Sequence, residues 1–382
     1  MGPKTEMPRQ EAPQSSATAT LSTRIPEIDI LRGIAIAAVV GLHSFWEATT
    51  ASDLLTPAGH AIAFFFLLCG FGVPLFLALS TAGLALGHRE PSGWREHIHF
   101  LQPRILRLLP AYLLWSLISA YFLRPEVFGS FRSMAAMLVR GTADAQFYFV
   151  RLLIEIYVLW PLFRPLARAS ARSAAAAVAI ASIGIAVAVG WGLPIMNGWF
   201  VRSMVMEPML WLGFLVLGVA AAPYLPRLTK LGYSRTALAI VAILTAAASL
   251  EMDRNFYLRS APTYVDIARL WASIIFQPEP TAYIVCAIGL LTLVAGRIRG
   301  TVAARWLTVL GSHSYGIFLS HLLILHLVVH TWFPLDNLRS MSAPLAFATT
   351  MVCWIAALGL SGALVALLSR SAWTRPFVSN RW

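Results

Sequence analysis

The sequence predicts an all-α, polytopic membrane protein with about ten transmembrane helices in one bundle and both termini in the cytoplasm. Three observations support this fold class. The 382 residues are 58% hydrophobic and only 12% charged, whereas a soluble domain carries about 25% charged residues. Apolar runs of about 20 residues, the length that crosses a bilayer, recur along the chain. Lys and Arg are concentrated in alternate connecting segments, as the positive-inside rule describes.

This composition excludes several classes of protein. So low a charged fraction over 382 residues is not that of an ordinary soluble enzyme or a disordered chain. The net charge of +12 comes from too few charges to build a basic face for nucleic acid. Topology is the remaining explanation, because Lys and Arg collect on the cytoplasmic side of membrane proteins.

Ten apolar segments are candidate spans. The second is long and contains Pro74, so we expect it to be tilted or kinked, and the seventh is short. The segments cover residues 30–48, 60–87, 105–123, 147–166, 174–193, 204–222, 236–250, 281–297, 313–333 and 344–369.

The basic residues orient these spans. Of the 29 Lys and Arg, 18 fall in the inner segments and 8 in the outer loops when the N-terminus is placed inside. This asymmetry supports an even number of spans with both termini cytoplasmic. The predicted domains are a disordered cytoplasmic tail over 1–26, a transmembrane domain over 27–370 and a short cytoplasmic tail over 371–382. We expect the protein to lie in the inner (plasma) membrane.

The first predicted helix and its N-terminal end carry several ionisable residues, which are costly in a bilayer and therefore mark functional sites. Arg32 and His43 are eleven positions apart, so they share one face about 16 Å apart along the axis. We expect Asp29 to pair with Arg32, and Glu47 to accept the ring proton of His43. His43 is then a candidate general base. The alternative is a structural histidine bonded to neighbouring backbone.

The segment before the third span, HREPSGWREHIHFLQPRILRLLP, is rich in Arg and His. Arg104 and Arg107 are three positions apart, so both can point the same way as the helix begins. Paired guanidinium groups suit phosphate or pyrophosphate. The alternative is simple anchoring on anionic lipid.

Two later pairs are also one helical turn apart. Arg151 and Glu155 predict mutual neutralisation inside the bundle, or else a catalytic carboxylate. His326 and His330 have the spacing of metal ligands on a helix, but the sequence offers no third ligand, so no metal site is predicted.

Four stretches follow one another in a characteristic order: IDILRGIAIAAVVGLH, FGVPLFLALS, PRILRLLPAYLLW and SYGIFLSHLLIL. Together they resemble the acyltransferase-3 family of integral membrane acyltransferases over about residues 27–369. After Ser80 the sequence departs from the family pattern, because Thr81 and Ala82 stand where a glycine and an aromatic residue are usual. The matching residues are Asp29, Arg32, Gly33, His43, Arg104, Arg107, Tyr315 and His321.

The resemblance implies transfer of an acyl group, most often acetyl from acetyl-CoA, to a hydroxyl of a carbohydrate or another envelope acceptor. It implies that Arg104, Arg107 and Arg32 hold the phosphates of CoA, and that His43 deprotonates the acceptor. Acyl-CoA would be a substrate and not a resident cofactor. The other partners would be the acceptor and membrane lipids, without nucleic acid. Further candidate residues are Glu47 and Arg32 in catalysis, and Glu155, Arg151, His321 and Tyr315 in substrate binding.

Other functions stay open at this level. A proton-coupled exporter or flippase for an envelope glycan or small molecule would use His43 and the Arg151–Glu155 pair as a proton path. An acyltransferase with another donor, such as succinyl-CoA, or another acceptor would carry the same motifs. A sensor or scaffold with a degenerate site is the third alternative.

Overall fold

The computed structural model of the protein describes residues 25–53, 56–87, 93–170, 172–173, 176–181, 211–260, 278–333, 338 and 340–379. Within these ranges the regular secondary structure is helical, without β-strands. Eight of the helices described are long and apolar enough to cross a membrane. The chain is therefore an all-α, multi-pass membrane protein, as the sequence predicts.

Twelve helical segments, some of them joined by 3₁₀ turns, make up most of the described chain. They are α1 Pro26–Ala51, α2 Pro57–Leu68, α3 Gly72–Ala85, α4 Trp94–Leu123, α5 Phe131–Arg140, α6 Tyr148–Phe163, α7 Leu212–Ala221, α8 Leu225–Leu231, α9 Arg235–Ser260, α10 Pro278–Arg297, α11 Val302–Trp332 and α12 Ala343–Leu368.

Eight of the ten predicted spans overlap these candidate membrane helices. The predicted span 147–166 corresponds to α6, which has 16 residues. Residues 182–193 of the predicted span 174–193 and residues 204–210 of the next one lie outside the described residues, as do residues 1–24 of the predicted N-terminal tail.

The second predicted span is interrupted, as Pro74 led us to expect. A 3₁₀ turn at Cys69–Phe71 separates α2 from α3. Pro74 has no amide hydrogen, and its ring crowds the carbonyl of Gly70 four residues earlier, so the regular α-helix breaks at this level.

α4 begins earlier than predicted. It starts at Trp94, so the part of the basic segment from Trp94 onward is itself helical. Arg104 and Arg107 therefore lie in the third and fourth turns of a 30-residue helix, which also contains Pro103 and Pro110.

α1 is the central helix of the bundle, and most of its residues are buried. Its closest neighbour is α11. A β-carbon at Gly33 would overlap the main-chain carbonyl of Leu307, and one at Gly311 would overlap the carbonyl of Asp29. Both glycines are needed here because only their missing side chains let the two backbones come so close.

α1 and α11 run in the same direction. Gly33 faces Gly311 near the start of both helices, and His43 faces His321 about three turns further along. Two parallel spans are separated by an odd number of crossings. The five candidate spans described between them are an odd number, which fits this shared direction.

The segment after α12 packs back onto the bundle. The indole nitrogen Nε1 of Trp115 donates to the carbonyl of Phe377 at 2.9 Å. Val378 is buried, and its carbonyl lies against Gly316. These contacts place Phe377 against α4 and Val378 against α11.

The close approach of α1 and α11 makes a prediction about stability. Gly33→Ala and Gly311→Ala should each destabilise the fold by roughly 1–3 kcal/mol, because the added methyl overlaps backbone that cannot move aside. The measurement is the thermal unfolding midpoint in detergent. Gly359→Ala in α12 is the matched control, since no atom lies within 4 Å of a β-carbon there. Equal midpoints for all three variants would contradict the packing argument.

Candidate active site

The first residues of the site lie at the end of the bundle that holds Arg32, which we call the inner end. Arg32 pairs with Asp29 at 3.9 Å, as the sequence predicts. The charges of Arg32, Arg104 and Arg107 all act on Tyr157 of α6. Three arginines from α1 and α4 therefore lie within electrostatic reach of one residue of α6, which gives this end of the bundle the positive charge that an anion-binding site needs.

Arg104 is held in a defined position. Its guanidinium lies over the ring of Phe100, 3.7 Å from the ring centroid, and Nη1 donates to the carbonyl of Phe100 at 2.7 Å. Stacking leaves the remaining N–H groups of the fork available to a ligand. Arg107 is exposed one turn further along. Of the two arginines predicted as a pair from their spacing, Arg104 is therefore held in place and Arg107 is accessible to solvent.

His43 lies eleven residues beyond Arg32 in α1. Its side chain keeps some accessible surface although Leu42 and Ser44 on either side of it are buried. The part of the chain that the structure describes supplies no hydrogen-bond partner for the imidazole. Its neighbour is His321 of α11, with the ring centroids 5.2 Å apart and the rings inclined at 46°. An accessible imidazole without a partner has a lone pair ready to accept a proton.

The hydrogen bonds of His321 determine its tautomer. Nδ1 lies 2.8 Å from the carbonyl of Phe318 and 3.2 Å from that of Ile317. A carbonyl only accepts, so Nδ1 carries the hydrogen and Nε2 of the neutral ring is an acceptor. Nε2 is buried without a partner among the described residues. The neutral His321 therefore presents an acceptor to its surroundings, which rules it out as the donor that stabilises an oxyanion.

The hydrogen bond expected from His43 to Glu47 is not formed. The carboxylate of Glu47 points across to α11, where Oε1 lies 2.7 Å from Nε2 of His326 and Oε2 lies 2.9 Å from Nε2 of His330. The reason is the parallel packing of the two helices, which brings two imidazoles of α11 to the level of Glu47. A π-helical turn at Leu325–Val329 separates those imidazoles by one wide turn.

The histidines that the sequence left without a third ligand therefore share a carboxylate from another helix. Within the described residues, no group of three or more His, Cys, Asp or Glu has a metal-binding arrangement. We call Glu47, His326 and His330 the outer cluster, and the end of the bundle that holds them the outer end. Their side chains are partly accessible.

Three further predicted residues have local partners. Nε of Arg151 donates to Oε1 of Glu155 at 2.7 Å, which confirms the predicted pair. The hydroxyl of Tyr315 donates to the carbonyl of Leu108 at 2.7 Å and so ties α11 to α4. Tyr315 is buried, and its hydroxyl hydrogen is already used in this bond.

The polar loop before α6 adds two residues that the sequence analysis missed. Nε2 of Gln146 donates to the carbonyl of Leu319 at 3.3 Å, two residues before His321. Burial raises the pKa of Asp144, and the nearby carboxylate of Glu47 acts in the same direction, whereas the Ala145 amide and His326 oppose it. Neither residue lies in a periodic segment, so no sequence pattern distinguishes them from an ordinary loop.

Comparison with known proteins identifies the family of the chain. A family model described as an acyltransferase domain, that of the acyltransferase-3 family, matches residues 25–359. Searches of curated proteins and of solved structures each find no match. Because the matched region covers most of the 382 residues, the chain belongs to the acyltransferase-3 family and is a membrane acyltransferase.

Proposed function

We propose that the protein transfers an acyl group, with acetyl-CoA as the donor, to a hydroxyl group of a carbohydrate or another acceptor of the cell envelope. One observation carries this proposal. His43 is an accessible imidazole with no hydrogen-bond partner among the described residues, and it lies on the same helix as Arg32, one of the three arginines at the inner end. Arg32 thus supplies positive charge for an anionic donor, and His43 supplies a base for a hydroxyl group. The two residues lie about 16 Å apart along one helix.

The inner end suits the nucleotide of CoA. Arg104, Arg107 and Arg32 supply positive charge around Tyr157, and a guanidinium fork can bind two phosphate oxygens at once. The pantetheine arm of CoA is long enough to reach inward from there toward His43. The excess of basic residues in the inner segments supports a cytoplasmic inner end, where acyl-CoA would be available to a protein of the plasma membrane.

The reaction at His43 balances without a further reactant. A ring nitrogen of His43 takes the proton of the acceptor hydroxyl as its oxygen attacks the thioester carbonyl carbon. The carbon–sulfur bond then breaks, and His43 returns the proton to the sulfur of CoA. The products are the ester of the acceptor and free CoA. His321 lies beside this position with an acceptor nitrogen, and so can hold a second hydroxyl hydrogen of the acceptor.

The base assignment makes a prediction about the rate. His43→Gln should lower kcat about 10²- to 10⁴-fold, because general base catalysis typically contributes that much. The measurement is transfer of radiolabelled acetyl from acetyl-CoA to envelope acceptors by purified protein in lipid bilayers. His313→Gln is the matched control, since Nδ1 of that histidine contacts only its own helix at Ser312 and Val309. Wild-type turnover in His43→Gln would refute the assignment, and failure of the wild-type protein to consume acetyl-CoA would favour an exporter or flippase.

The phosphate assignment makes a separate prediction about the donor. Arg104→Ala combined with Arg107→Ala should raise KM for acetyl-CoA at least about tenfold, the effect of losing hydrogen bonds to a charged group. KM for S-acetylpantetheine should not change, because that donor lacks phosphates. Arg297→Ala, which removes an exposed basic residue at the end of α10, controls for loss of lipid anchoring. Equal changes in KM for both donors would show that the two arginines do not bind phosphate.

A further inference from the structure

The outer half of the site contains a set of buried polar atoms without partners. Among the described residues these include Nε2 of His321, Nδ1 of His326, Oδ2 of Asp144 and Oε1 of Gln146. The side chains of Gln146 and His321 are almost completely buried, at 1% and 0% exposure. Buried polar groups are normally hydrogen-bonded, so several exceptions in one region indicate a bound partner.

These atoms belong to one region of the bundle. Gln146 is bonded to Leu319 of α11, two residues before His321. Asp144 lies within electrostatic reach of both His326 and Glu47. His43 in turn is within electrostatic reach of Glu47 and His326. The unpartnered atoms therefore extend from the proposed base toward the outer cluster.

Three of the four atoms are hydrogen-bond acceptors. Oδ2 of the Asp144 carboxylate and Oε1 of Gln146 carry no hydrogen, since Nε2 is the donor of the Gln146 amide. His321 has its hydrogen on Nδ1, so its Nε2 is the third acceptor. His326 donates from Nε2 to Glu47, so its Nδ1 accepts when the ring is neutral and donates when the ring is protonated. A ligand that fits this set must bring several donors, as a molecule with many hydroxyl or amino groups does.

The charges around these atoms add a second condition. Glu47 and Asp144 place two carboxylates near His326, and the guanidinium of Arg151 is already bound to Glu155. An anionic ligand would bring further acceptors and a like charge close to Asp144, which disfavours its binding. The imidazoles of His326 and His330 are already paired with the Glu47 carboxylate and so offer an anion little attraction.

We infer that Asp144, Gln146 and the outer cluster form the acceptor-binding site and select an uncharged or cationic, hydroxyl-rich acceptor over an anionic one of the same size. This inference rests on the proposed function, because it assigns the hydroxyl substrate of the same reaction. Asp144 and Glu47 would be the residues that set the specificity, with one hydroxyl of the acceptor at His43 and its other hydroxyls on the outer acceptors.

The test compares two sugars that differ in one group. Purified protein in lipid bilayers is given labelled acetyl-CoA with methyl glucoside or with methyl glucuronide, which carries a carboxylate in place of the primary alcohol. We expect kcat/KM to favour the glucoside at least about tenfold, the scale of a hydrogen bond to a charged group. Asp144→Asn should raise KM for the glucoside several-fold, narrow its advantage over the glucuronide, and leave KM for acetyl-CoA unchanged.

Glu126→Gln is the matched control, because Glu126 is an exposed carboxylate paired with Arg124 outside the site. Glu47→Gln is a second variant for the case that Asp144→Asn fails to fold. We expect it too to reduce the preference for the glucoside over the glucuronide. Transfer to both sugars at equal rates, or a preference that neither variant changes, would overturn the inference while leaving the proposed function intact. Consumption of acetyl-CoA without transfer to either sugar would also overturn it. No use of acetyl-CoA with any acceptor would instead overturn the proposed function.

Discussion

The parallel packing of α1 against α11 is the constraint on which the rest of the site depends. Gly33 and Gly311 let the two backbones meet near the inner end, and this contact fixes the relative level of every later residue along the pair. His43 then faces His321, and Glu47 faces His326. A shift by one turn would separate both pairs, so two residues without side chains determine which side chains meet about three to four turns away.

The sequence predicted features that depend on local spacing. The fold class follows from hydropathy, and the pairs Arg32–Asp29 and Arg151–Glu155 follow from positions three or four apart on one helix. The break near Pro74 follows from the covalent structure of proline. Each of these needs only the geometry of a single helix, which is the same in every protein.

The sequence could not predict features that depend on contacts between helices. Glu47 is one turn from His43, so spacing alone assigned it to that histidine, whereas the register of α11 gives it two others. The register between α1 and α11 could be predicted only by assuming that Gly33 and Gly311 form a close contact. The positions of Asp144 and Gln146 were still harder to predict. A loop has no sequence period, and the helices that it joins determine where its side chains lie.

Under the proposed function, the distribution of charge explains how two unlike substrates can share one base. The inner end is cationic, with three arginines around Tyr157, and the outer end is rich in carboxylates and in acceptor atoms. An anionic donor is attracted to the first and repelled by the second, while a hydroxyl-rich acceptor finds its partners only at the outer end. The two substrates would therefore approach His43 from opposite ends of the bundle without competing for either site.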